Sequence, residues 1–111
     1  MSLYTITKDA SLKVDAIEDF SYPRINLRTR YSVLTSTMSE LGELAEEVMI
    51  SEGNSYKEQG EDGIVGEAID TILCLLDLLH KNCNLTEKEL DAIAKKKCDK
   101  WVHKVQSRVQ D

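Results

Sequence analysis

Ile64-Val-Gly-Glu67-Ala-Ile-Asp70-Thr-Ile-Leu-Cys74-Leu-Leu-Asp77-Leu-Leu-His80-Lys81 is apolar on almost every side, lacks proline and is interrupted by only a few acids. A stretch of this length without strand-like alternation predicts a helix over about 64–81. Few of its positions are polar enough to face water, so the helix belongs in the middle of a bundle or at a subunit interface. Glu67 and Asp70 stand out against that background. Three residues apart, they project from one helical face, and Asp77 follows two turns later on the same side. Acids in such surroundings need a partner, which is either a lysine or arginine or a metal ion.

Working toward the N-terminus, Leu27, Tyr31, Leu34, Met38, Leu41, Ala45 and Val48 recur at alternating spacings of four and three. They predict a second-in-order helix over about 25–51 with this stripe turned inward. On one flank of the stripe, Glu40, Glu43 and Glu47 fall within about 60° of one another. Between Ser51 and Gly63 the chain offers three glycines and almost no apolar residue, an exposed loop that can serve as a lid. A weaker helix is expected over about 9–20, with Ala10, Val14, Ile17 and Phe20 as its stripe and Ser21-Tyr22-Pro23 as its end. Beyond the quoted stretch, Thr86-Glu-Lys-Glu89 reads as a capping box. It opens a last helix to about Val109 with Leu90, Ile93, Ala94, Cys98, Trp101, Val105 and Val109 inward. The expected architecture is all-α: one domain over residues 1–111, a compact four-helix bundle completed by oligomerisation.

With 111 residues the chain can form a core, yet it is small enough for assembly to help it materially. Its net charge of −6 disfavours nucleic-acid duplexes and anionic membranes as partners but not a small anion held through metal. Cys74, Cys83 and Cys98 form no C-x-x-C pair and leave an odd count, which fits reduced thiols in the cytoplasm. The first ten residues lack a basic region followed by an apolar core, and no later run has the length of a membrane span.

Two pairs of acids, Glu40-Leu-Gly-Glu43 and Glu67-Ala-Ile-Asp70, therefore face one another in expectation across neighbouring helices. Each pair can close on one hard cation, the arrangement a Mg²⁺ site needs, with Mn²⁺ as a substitute. Four carboxylates in a folded interior otherwise repel and lose hydration. On the last helix Lys97, Lys100, Lys104 and Arg108 share about 80° of arc. They suit a polyphosphate held between the two signs, while a solvated face or counter-ions for the acids explain each lysine taken singly. His80 and His103 have Asp77 and Lys100 three residues before them, so the Glu-x-x-His pairs of a di-iron carboxylate bundle are missing.

Ser39-Glu-Leu-Gly-Glu-Leu-Ala-Glu46 and Gly66-Glu-Ala-Ile-Asp-Thr-Ile-Leu73 resemble the two acid motifs of the MazG-like, all-α nucleoside triphosphate pyrophosphohydrolases. Lys97-Cys-Asp-Lys-Trp101 is similar to that family's basic fourth-helix segment, and the likeness runs from about Leu27 to Arg108. Ser39 stands where many members carry a further glutamate. The resemblance implies a homodimer or homotetramer that hydrolyses a nucleoside triphosphate to a monophosphate and pyrophosphate with Mg²⁺. It implies metal ligation by Glu40, Glu43, Glu67 and Asp70, and phosphate contacts from Lys97, Lys100 and Lys104, reaching across from another subunit. Glu47, one turn beyond Glu43, is the candidate general base. The rival expectation is a helical module that binds a protein or senses nucleotides without catalysis.

Overall fold

The computed structural model describes residues 1–21, 28–54 and 56–109, and they form four α-helices with no strand among them. The helices are α1 (Leu3–Ser21), α2 (Arg30–Ser51), α3 (Gly63–Asn82) and α4 (Glu87–Val109). The expected helix start at Ile25, the first stripe residue Leu27 and the break at Tyr22-Pro23 lie outside the described residues. Among the described residues no helix is long and apolar enough to cross a membrane.

Local chemistry explains most boundaries. Thr29 caps α2 by accepting from the Ser32 amide at 3.1 Å. Thr86 caps α4 by accepting from the Glu89 amide at 3.1 Å while the Glu89 carboxylate meets its hydroxyl at 2.9 Å. The first helix starts six residues earlier than its apolar stripe suggests. Ser2 receives the Thr5 amide, and the run Thr5-Ile6-Thr7, poor in helix propensity, is held by contacts to other elements. Thr7 shares a 2.7 Å hydrogen bond with His80, whose ring meets Tyr4 edge-on, and the Tyr4 hydroxyl donates to the Leu85 carbonyl.

α3 is the central element, packed along both α2 and α1. Both neighbours run antiparallel to it. On α1 the residues Thr7 and Ser11 meet His80 and Asp77 in turn. On α2 the residues Thr37 and Glu40 meet Cys74 and Asp70.

The faces turned into these seams are polar. α1 presents Tyr4, Thr7, Ser11, Asp15 and Glu18, and α2 presents Val33, Thr37, Glu40, Leu44 and Glu47, all buried or half-buried. Val33, 5% exposed, is the one buried apolar side chain among the described residues. Expected inward stripes point the other way: Val14, Ile17 and Phe20 of α1 and Tyr31, Leu34, Met38, Leu41 and Val48 of α2 are exposed, Met38 by 66%. The helical period was correct and its phase was not. On α1, residues with specific hydrogen-bond and charge partners occupy the narrow seam, leaving the apolar arc outside.

α4 departs furthest from the expected bundle. Leu90 is half-buried, but every described residue from Asp91 to Val109 is exposed, including Trp101 at 69%. The Cα radius of gyration is 17.6 Å, with extents of 57 × 42 × 27 Å. A compact chain of this size has about 13 Å. The single chain is thus a three-helix unit with an amphipathic fourth helix extending from it.

Candidate metal centre

Antiparallel packing of α2 on α3 sets one acid pair against the other. One carboxylate oxygen from each of Glu40, Glu67 and Asp70 lies within 4.8 Å of the others, and all three residues are half-buried. Glu43 joins them at the rim: it interacts with both Glu40 and Glu67. The structure therefore brings together all four acids expected as ligands.

Burial raises the Glu40 carboxyl above its ordinary value, and the neighbouring charges of Glu43 and Asp70 add to the effect. Glu67 is raised by burial first, then by Glu43, Asp70 and Glu40. The Oε2 atoms of Glu40 and Glu67 are shielded from water and meet no hydrogen-bond donor among the described residues. No lysine, arginine or histidine nitrogen among the described residues lies within 4.0 Å of these acids. Orphaned oxygens from converging carboxylates form the donor set of a hard divalent cation, so the residues fit Mg²⁺.

Glu47 sits one turn further along α2 and outside that three-oxygen group. It is 8% exposed, its Oε1 accepts the Gly60 amide at 2.8 Å, and its Oε2 is buried with no partner among the described residues. Toward the other end of the seam, Cys74 lies one turn after Asp70. Burial pushes its thiol up, with the Glu40 charge contributing, while a hydrogen bond with Thr37 acts in the opposite sense. Cys74 also lines an open groove of about 250 Å³ with Ile6, Ala10, Val14 and Leu73.

Lys97, Lys100 and Lys104 are exposed on α4, and Lys97 and Lys100 flank a shallow surface hollow with Ile93 and Lys96. None pairs with the acids within the chain. His103 is exposed, and His80 serves the α1–α3 seam.

Sequence reasoning missed Arg28. Its Nε bonds Asp15 at 2.6 Å, while Nη1 and Nη2 reach Asp77 at 2.9 and 2.7 Å. Lys81 adds a 2.9 Å bond to Asp15, and the Ser11 hydroxyl donates to Asp77. Among the described residues Asp77 is thus the one α3 acid whose partner is a protein cation. Burial drives Asp77 up, but hydrogen bonds from Arg28 and Ser11 more than reverse it, leaving it below the usual carboxylate value. Asp15 behaves likewise through Arg28 and Lys81. An arginine two residues before a helix start gives no periodic signal by which it could have been found.

No family model, curated protein or solved structure matches the chain.

Proposed function

We propose that the chain is a Mg²⁺-dependent nucleoside triphosphate pyrophosphohydrolase of the MazG-like kind, cleaving (d)NTP to (d)NMP and pyrophosphate and serving nucleotide-pool housecleaning. One observation carries this reading. Three carboxylates meet within 4.8 Å on α2 and α3, and two of them hold buried oxygens that no donor among the described residues satisfies. Glu40, Glu67 and Asp70, with Glu43 at the rim, would hold the cation. When bound, Mg²⁺ supplies Lewis-acid polarisation of phosphate oxygens and a more acidic water. Glu47 is the nearby carboxylate outside the ligand group, suited to orient or deprotonate the attacking water.

The outward apolar arcs support a homodimer or homotetramer as the working form. Exposed apolar residues on α1, α2 and α4 are the surface that a second copy would cover. A second copy that covers them also has a route to bring Lys97, Lys100 and Lys104 toward the acids. There their charge would offset that developing on the pyrophosphate leaving group. Sedimentation velocity should therefore find a dimer or tetramer, and a monodisperse monomer at micromolar concentration would defeat this part.

The direct test is a panel of canonical and modified nucleoside triphosphates, with and without Mg²⁺, scored for pyrophosphate. Mg²⁺-dependent pyrophosphate release supports the reading. Orthophosphate release points to another phosphatase chemistry, and nucleotide binding without turnover favours a sensing module.

A further inference from the structure

The loop between α2 and α3 folds back on the C-terminal half of α2 through consecutive glutamates. Lys57 pairs with Glu46 at 2.7 Å, and the Gly60 amide donates to Oε1 of Glu47 at 2.8 Å. Position 60 admits no larger residue without a shift, because a Cβ there would lie 2.6 Å from that same Oε1. The result is a carboxylate with divided roles. One oxygen is fixed by the backbone, and the other is withdrawn from water with no donor among the described residues. If Glu47 served only to tether the loop, burial of its second oxygen would be an uncompensated cost. A donor arriving with the ligand would remove that cost, and Glu43, the rim acid of the cluster, is one helical turn away, about 5–6 Å between Cβ atoms.

We propose that the Gly60 amide is a positioning group for the hydrolytic step, holding Oε1 of Glu47 so that Oε2 is the oxygen that accepts the proton of the attacking water. This rests on the pyrophosphohydrolase reading. In that step the water oxygen bonds to the α-phosphorus and its proton passes to Oε2. The α-phosphorus bond to the bridging oxygen breaks, its electron pair leaves with pyrophosphate, and Glu47 afterwards returns the proton to solvent.

Glu47→Gln keeps an acceptor for the Gly60 amide but removes the base, whereas Gly60→Ala keeps the base and displaces it. The experiment measures, for the parent and both variants, Mn²⁺ affinity without nucleotide, hydrogen exchange of the backbone amide at position 60, and steady-state pyrophosphate release. The expected result is Mn²⁺ affinity within about threefold of the parent for both. Amide protection should persist in Glu47→Gln and be lost in Gly60→Ala. The kcat should fall about 10²-fold or more in Glu47→Gln and about tenfold in Gly60→Ala with KM little changed. Parent-like kcat in Glu47→Gln would overturn the proposal and leave Glu47 a loop tether. An inactive parent that binds Mn²⁺ would instead overturn the pyrophosphohydrolase reading, and this proposal with it.

Discussion

α3 carries two acid groups seven residues apart on the same face, and the protein treats them oppositely. At Asp77 the fold supplies Arg28, Ser11 and, through Asp15, Lys81. At Glu67 and Asp70 it supplies more acids, Glu40 and Glu43, and no cation among the described residues. The chain can therefore solve the problem of a half-buried carboxylate with arginine, and at one end of the seam it does. Under the proposed function, the other end, with its orphaned oxygens, is a ligand site and not a structural ion pair.

The largest expected effect breaks the comparison at its functional end. Glu43→Gln or Asp70→Asn should reduce Mg²⁺-dependent pyrophosphate release by about 10²-fold or more while the circular dichroism of the helices is unchanged. Full activity in both would remove the chemical distinction between the two groups.

At the structural end, Arg28→Ala strands Asp15 and Asp77 and should cost about 2–4 kcal/mol in urea unfolding. Arg28 itself is raised, chiefly by its hydrogen bond to Asp77. A cost below about 1 kcal/mol would show that the network is only a solvated surface cluster.

The two groups also predict opposite responses to pH. Asp15 and Asp77 are lowered, so their stabilisation is present above their unfolded value of about 3.9 and is lost as pH falls through the still lower folded values. Glu40 and Glu67 are raised, so their contribution is full below the unfolded value of about 4.3 and is lost as pH rises through the higher folded values. Without metal, stability should therefore increase on mild acidification from neutrality and then decline in stronger acid. Saturating Mg²⁺, which replaces protons as the relief for the acids, should flatten the first limb and leave the second. Thermal melting across pH 3–8 with and without Mg²⁺ checks both limbs, and a metal-independent profile would contradict the assignment.

The smallest effect sharpens the same point. Glu40→Gln should raise the melting temperature of the metal-free protein, because it removes a repelling charge, and should diminish the further rise on adding Mg²⁺. A lowered metal-free melting temperature would mean that Glu40 has a stabilising partner.

What could be read in the sequence divides along the same seam. Helix number, the capping box at Thr86 and the convergence of Glu40, Glu43, Glu67 and Asp70 followed from spacing, because three- and four-residue intervals determine which side chains share a face. The inward direction of the stripes did not follow. Periodicity in Tyr31, Leu34, Met38 and Leu41 shows that one face avoids water, but not whether its cover comes from the same chain. The single chain packs the polar face at Val33, Thr37 and Glu40 instead. Nor could spacing reveal Arg28 with Asp77 or Gly60 with Glu47, since both depend on where an irregular segment returns to a helix.

Electron paramagnetic resonance of Mn²⁺ tests the central claim most directly, with the parent compared against Glu40→Gln/Glu67→Gln/Asp70→Asn and against Asp15→Asn/Asp77→Asn. The account predicts saturable binding, displaced by Mg²⁺, in the parent and in the Asp15/Asp77 variant, and none in the triple variant. Equal binding by the triple variant, or none by the folded parent, would contradict it.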